Sequence, residues 1–123
     1  MNRTDLKGVP VDDLVARFAD IGIEDDNAEK VNDIAKRNSL RGQLSAIKNE
    51  LKSRSGDQRS ALIKLYNHPN MEVRLLAAKA TLAVAPAESR RIIEWIAASN
   101  WFPYAGDAGM CLYMLDSGKF VPD

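Results

Sequence analysis

The chain has 123 residues, 46% hydrophobic and 28% charged, which is enough to bury one core without disulfides or metals, so we expect a single domain over residues 1–123. Its 17 basic and 17 acidic side chains give a net charge of zero, which provides no whole-molecule reason to expect nucleic acid or an anionic membrane as the partner. One cysteine excludes an intrachain disulfide and a thiolate cluster, and one histidine excludes most zinc sites and nucleophile–base pairs.

The first helix is predicted to begin at Pro10, after residues 1–9, which show no periodicity and are expected to fray or lie along the surface. Apolar residues then recur at helical spacing until a glycine that suits a helix end. These positions are Val11, Leu14, Val15, Phe18, Ile21 and Gly22. Residues 24–27 are polar and acidic, and we expect them to form a turn.

Residues 28–54 carry two apolar stripes, which would lie roughly 180° apart on one continuous helix. The first stripe comprises Val31, Ile34 and Ala35, and the second comprises Leu40, Leu44, Ile47 and Leu51. Either the chain breaks near Asn38-Ser39, or one long helix changes neighbours halfway. We expect two helical pieces, or one kinked helix, ending near Arg54.

A helix–turn–helix hairpin is predicted over residues 58–85. Its first helix is short and stops before Pro69, because proline disfavours helical geometry in the residue that precedes it. The second helix is predicted to run from its cap, Asn70, to Ala85, with apolar residues on two opposite faces. Two apolar faces indicate neighbours on both sides, so we expect this helix to lie in the middle of a layered protein.

Two further helices are predicted in the C-terminal part of the chain. Pro86 begins the first, and Asp107 caps the second, which ends at Gly118. The loop between them, residues 99–103, has an unusual aromatic content. Because no useful length of strand-like alternation appears, we predict an all-α fold of about six to seven helices.

Two stretches resemble known families. The hairpin, with His68-Pro69-Asn70 at its turn and Val-Arg-Leu-Leu-Ala-Ala over residues 73–78, resembles a HEAT repeat. More widely, the chain is similar to the bacterial family named domain of unknown function 2019, most distinctively in Ala-Gly-Asp-Ala-Gly-Met-Cys-Leu over residues 105–112. The resemblance implies a HEAT/armadillo-like α-α superhelix. It implies no catalytic residue, because the family has no established activity.

Nothing in the residue pattern predicts catalysis, a cofactor or a metal site, so we expect a protein that is not an enzyme. His68 suits a turn, and Cys111 lies on the inward stripe of the last helix, where a free cysteine acts as a small hydrophobe. The acidic residues between positions 12 and 26 lack the spacing and the glycine of an EF-hand loop.

The first functional hypothesis is a protein–protein interaction scaffold, or a regulatory or immunity-type protein of a bacterial cell, that binds another protein or itself as a homodimer. Its candidate partner surface combines the aromatic loop with the outward face of the last helix. The surface comprises Trp101, Phe102, Tyr104, Met110, Tyr113 and Met114. An intramolecular lid formed by that loop and residues 119–122 is the alternative use of this face.

The second hypothesis is a nucleic-acid-binding helical repeat that uses the basic middle of the chain. Residues 27–65 hold nine basic and four acidic side chains. The phosphate-contact candidates are Lys36, Arg37, Arg41, Lys48 and Lys52. No aromatic residues interleave with them to stack on bases, so this hypothesis is the weaker one.

The chain shows no basic-then-apolar signal at its start. No apolar run approaches the roughly 20 residues that are needed to span a bilayer. We therefore expect a cytoplasmic protein without membrane contact.

Overall fold

The computed structural model describes residues 5–123, and within that range it contains six helices and no strand. The α-helices are α1 (Val11–Lys30), α2 (Ile34–Ser53), α3 (Met71–Ala80), α4 (Pro86–Ala97) and α5 (Tyr104–Asp116), and a 3₁₀ helix spans Gln58–Asn67. The all-α class is thereby confirmed, and the superhelical arrangement stays a prediction.

The chain divides into two compact units, Met1–Ala61 and Leu62–Asp123, and the boundary falls within the 3₁₀ helix. In the first unit α1 packs against α2. In the second unit α4 packs against both α3 and α5, and α3 also contacts α5. The single domain expected from the chain length stays a prediction, and the two compact units are described separately below.

In the first unit, α1 continues through Gly22 to Lys30, so the predicted end at Gly22 and the predicted turn at 24–27 are wrong. A glycine inside a helix costs only about 0.5–1 kcal/mol, which burial of neighbouring side chains offsets. Gly22 and Asp25 are both buried on this extension. The chain turns later, at residues 31–33, where Asn32 has a φ of 56°.

The predicted break at Asn38-Ser39 is also wrong, because α2 is continuous across it. Asp33 caps this helix by accepting a hydrogen bond of 3.1 Å from the backbone N–H of Lys36. The first apolar stripe is not buried, since Val31 is 74% exposed and Ile34 is exposed as well. The helix therefore needs no kink to bring both stripes into the core. Only the second stripe is core. The helix ends at Ser53, close to the predicted end at Arg54.

Replacing Gly42 by alanine is expected to raise the free energy of unfolding by about 0.5–1 kcal/mol. Gly42 is exposed within α2, and a Cβ atom built there meets nothing within 4 Å. The gain comes from the smaller conformational entropy of the unfolded chain. Urea denaturation of the variant and its parent measures it, and a loss of stability would contradict a helical conformation at this position.

From residue 5 onward the segment before α1 is held in place, which agrees with the second of the two expectations for residues 1–9, a segment that lies along the surface, and not with fraying. Leu6 is buried, and its carbonyl oxygen accepts a hydrogen bond of 2.9 Å from the guanidinium of Arg54. The same guanidinium also donates to the carbonyl oxygen of Lys7. Residues 1–4 lie outside the described residues.

In the second unit, α3 has the predicted N-cap, since the side chain of Asn70 accepts from the backbone N–H of Val73 at 3.1 Å. Both predicted apolar faces are buried, with Val73 and Ala77 on one face and Leu75 and Ala78 on the other. The helix ends at Ala80 rather than at Ala85. Residues 81–84 form turns before Pro86 begins α4, as predicted.

The last helix begins earlier than predicted. Asp107 lies in the first turn of α5 and does not cap it, because the helix already starts at Tyr104. Ala108 and Cys111 are buried as expected. The predicted stop at Gly118 is confirmed, since this residue follows the end of α5 with a φ of 74°.

A buried hydrogen-bond chain fixes the end of α3. The hydroxyl of Thr81 donates to the carbonyl oxygen of Ala77 at 2.9 Å, which leaves its oxygen to accept from the phenol of Tyr66 at 2.5 Å. Burial raises the pKa of the Tyr66 phenol above its ordinary value of 10.0. The neutral phenol is therefore the form that the fold stabilises.

Replacing Tyr66 by phenylalanine is expected to lower the free energy of unfolding by about 1 kcal/mol at neutral pH, because the buried hydrogen bond between Tyr66 and Thr81 is lost. The parent should also lose stability as the pH rises above about 10, because Tyr66 ionises more easily in the unfolded chain than in the fold. The Tyr66→Phe variant should not show the part of this alkaline loss of stability that comes from ionisation of Tyr66. Chemical denaturation across this pH range tests both effects, and equal alkaline slopes would contradict the burial of the phenol.

Candidate functional site

Four large apolar side chains are exposed on α5 and the loop before it. Trp101 is 58% exposed, Phe102 69%, Met110 60% and Tyr113 55%. We call these four side chains the apolar stripe. Met110 and Tyr113 lie about one turn apart on the outward face of α5. Gly106 lies one turn before Met110, and a Cβ atom built on it would be 3.9 Å from the Phe102 ring.

Two of the six residues predicted for this surface do not belong to the apolar stripe. Tyr104 is only 5% exposed, because it lies on the same inward face of α5 as Ala108 and Cys111. Its placement in the aromatic loop was wrong, since the helix begins at this residue. Met114 is half-buried at the edge of the surface.

The C-terminal tail returns to α5 only at the end of the helix. The backbone N–H of Phe120 donates to the carbonyl oxygen of Met114 at 3.0 Å. The ammonium group of Lys119 lies 5.2 Å from the centre of the Tyr113 ring and 3.4 Å from its hydroxyl oxygen. Met110 and Tyr113 stay more than half exposed beside this tail, so it does not form the lid that was considered.

An ion pair neutralises the acidic end of α5. The guanidinium of Arg90 donates to both carboxylate oxygens of Asp116, at 2.9 and 3.0 Å, and to Glu94 at 3.0 Å. The pairing lowers the pKa of Asp116 and raises that of Arg90. Next to the apolar stripe, the charge of Asp116 is therefore already balanced within the chain.

Sequence reasoning missed an aromatic–cation contact on the neighbouring helix. Trp95 of α4 is exposed, and the guanidinium of Arg74 lies 5.5 Å from its ring centre. The helical spacing contained the signal, because position 95 lies roughly 200° from the buried Ile93. Arg74 also donates to the carbonyl oxygen of His68, so it links the start of α3 to the turn that precedes this helix.

The basic middle of the chain contributes to an ion-pair cluster around one buried carboxylate, which the sequence did not reveal. Asp25 in α1 has a fully buried carboxylate, and Arg37 in α2 donates to both of its oxygens, at 3.1 and 3.3 Å. Arg41 donates to the same carboxylate at 2.9 Å, and Glu29 accepts from Arg37 at 3.3 Å. Two of the five phosphate-contact candidates therefore bind a carboxylate of their own chain.

The three lysines among these candidates are differently placed. Lys36 and Lys52 are exposed on α2, and Lys48 is half-buried. Retention on heparin at rising salt measures how strongly these lysines bind a polyanion, because binding through phosphate contacts weakens steeply as salt increases. Nucleic-acid binding stays a prediction.

His68 and Cys111, the two residues considered for chemistry, both lie in surroundings that suit a structural role. His68 accepts a hydrogen bond of 3.0 Å at Nδ1 from the backbone N–H of Asn70. Burial raises the pKa of the Cys111 thiol, which keeps it protonated and weakly nucleophilic at neutral pH. Within residues 5–123, no three histidine, cysteine, aspartate or glutamate side chains come close enough to hold a metal ion.

None of the helices in the described part of the chain combines the length and the apolar character needed to cross a membrane.

Comparison with known proteins identifies the family. No curated protein matches the chain. The structure is similar to the crystal structure of the protein RPA1889 from Rhodopseudomonas palustris CGA009, with a TM-score of 0.94 and 53% sequence identity over 97% of this chain and 98% of that one. The family model described as Domain of unknown function (DUF2019) matches residues 12–116, which include all five α-helices except the first residue of α1. The chain belongs to this family.

Proposed function

We propose that this protein is a non-catalytic protein-binding module, acting as a scaffold or as a regulatory or immunity-type partner, and that the apolar stripe is its docking surface. The observation that carries the proposal is the exposure of four large apolar side chains on one helix and the loop before it. Isolated exposed apolar residues are common, but a contiguous apolar patch of several hundred Å² on a soluble protein is often an interaction site.

The composition of the apolar stripe supports a protein partner. Tryptophan, tyrosine, phenylalanine and methionine are the residue types enriched in the cores of protein–protein interfaces, and all four occur here. Aromatic rings contribute a large contact area and lose little conformational entropy on binding. Tyr113 also carries a hydroxyl group that forms polar contacts at the edge of such an interface.

Protein binding is favoured over nucleic-acid binding by the cluster around Asp25. Arg37 and Arg41 already donate to this carboxylate, and moving them to phosphates would leave its buried charge without these hydrogen bonds. Binding of a partner to the apolar stripe would not remove hydrogen bonds from a buried charge in this way. Its side chains gain free energy when a partner removes them from water.

A site-specific photocrosslinking experiment tests the proposal. A photoreactive residue at position 113 should form adducts with a discrete protein in cells of the source organism, and Met110→Glu should abolish them. The matched control carries the same photoreactive residue at Val31, which is 74% exposed on the first unit. Equal labelling from both positions, or no adduct from position 113, contradicts a docking surface on α5.

A further inference from the structure

Large and small residues alternate along the outward side of α5. Met110 and Tyr113 are large and exposed, whereas Gly106 and Gly109 have no side chain. A Cβ atom at Gly109 would meet nothing within 4 Å, and one at Gly106 would approach only the Phe102 ring, at 3.9 Å. The helix backbone is therefore open at Gly109 and bordered by the Phe102 ring at Gly106, and the missing side chains at these two positions let another helix approach closely.

We propose that the occupant of the apolar stripe is a second copy of this chain, docked with α5 antiparallel to α5. The inference rests on the proposed function and names its partner. When two copies of α5 pair antiparallel with the symmetry axis between Gly109 and Met110, Met110 of each copy faces Gly109 of the other. In the same register, Tyr113 of each copy faces Gly106. Both protruding side chains of α5 then meet a glycine.

The outward face of α5 is therefore complementary to a second copy of the same face. A two-fold symmetric interface requires a self-complementary patch, because the same residues contribute to both sides. The pairing of Met110 with Gly109 and of Tyr113 with Gly106 satisfies that requirement through one symmetry axis. A partner of a different sequence would have to reproduce the same spacing of large and small residues independently.

The charges of the chain favour the same occupant. The net charge is zero, so two copies approach without overall repulsion. The outward positions Gly106, Met110, Tyr113 and Ser117 are uncharged, and the nearby Asp116 is neutralised by Arg90. The ammonium group of Lys119, 5.2 Å from the centre of the Tyr113 ring, brings a positive charge to the edge of this surface, which disfavours a strongly basic partner.

The size of the apolar stripe predicts a reversible dimer. Each of its four side chains exposes about 100 Å², given that buried aromatic residues cover about 150–250 Å² each. About 400 Å² per chain is roughly half of the ~800 Å² that each partner contributes to a standard stable interface. The monomer and the dimer should therefore both be populated within an accessible concentration range.

The register is tested by cysteine crosslinking of the purified full chain. In the proposed dimer, position 110 lies within about 1.5 Å of its copy along the helix axis, whereas position 117 lies about 22 Å away from its copy. Because a disulfide needs Cα atoms within about 7 Å, Met110→Cys should form a dimer under mild oxidation and Ser117→Cys should not. Crosslinking at both positions, or at neither, overturns the antiparallel pairing. The parent, with only the buried Cys111, is the background control.

Sedimentation of the purified protein supplies the second measurement. The parent should shift from monomer to dimer between about 10 µM and about 1 mM, and Met110→Glu should weaken association at least tenfold. Val31→Glu, the same type of change at an exposed residue of the first unit, should leave it unchanged. A parent that stays monomeric throughout overturns the second copy as partner. If position 113 then still crosslinks to another protein, the proposed function stands; if it crosslinks to nothing, both fail.

Discussion

Replacing Asp25 by alanine is expected to lower the free energy of unfolding by about 3–5 kcal/mol. The carboxylate is fully buried in α1 and accepts hydrogen bonds from Arg37 and Arg41 of α2, so its removal leaves two guanidinium groups without their main acceptor. Arg37 suffers more, because it is the less exposed of the two and loses a bidentate contact. Chemical denaturation followed by circular dichroism measures the loss.

The matched control for this experiment is Asp20→Ala on the same helix. Asp20 is exposed, so the change should stay within about 0.5 kcal/mol of the parent. Both substitutions introduce the same residue and raise helix propensity equally. A loss below about 1 kcal/mol for Asp25→Ala would therefore show that the cluster contributes little beyond a surface ion pair.

The second large effect is expected at Ala78 in α3. Ala78→Glu should destabilise the protein by about 2–4 kcal/mol, because it places a charge at a position with no solvent exposure. Ala78 lies roughly 140° around α3 from Val73, so the substitution probes the second face, which distinguishes a central helix from one at the edge of a fold.

Thermal melting compares this variant with Ala87→Glu, which makes the same change at an exposed position in the first turn of α4. A glutamate there should be neutral or slightly stabilising, because negative charge is favoured near a helix N-terminus. If Ala78→Glu melts together with the parent and with Ala87→Glu, the second face of α3 is accessible to water in solution.

The helices themselves could be predicted because their apolar spacing and caps are local. Asn70, Pro86 and Gly118 act through their own backbone geometry or a neighbour within three residues, and all three perform their predicted roles. The limits of α1 depend on partners elsewhere in the chain. Asp25 is compatible with helix because Arg37, twelve residues later, binds it.

The candidate site was predictable to the extent that exposure follows helical phase. Met110 and Tyr113 were placed outward from their position relative to Ala108, and both are exposed. Tyr104 was misplaced because its exposure depended on where α5 begins, and Pro103 with two neighbouring aromatic residues suggested a longer loop. The role of Arg37 and Arg41 could not be predicted, because a basic residue that binds phosphate and one that binds a buried carboxylate have the same sequence signature.

The burial of α3 has a consequence for how proteins of this fold diverge. Seven of its ten residues are buried, including Ala77, Ala78 and Ala80, where a larger side chain would overpack the core. Substitutions in this helix therefore change foldability first and offer a partner few residues to recognise. The apolar stripe has the opposite property, because its side chains contribute little to the core. Under the proposed function, substitutions there should change which partner is bound while the fold is retained.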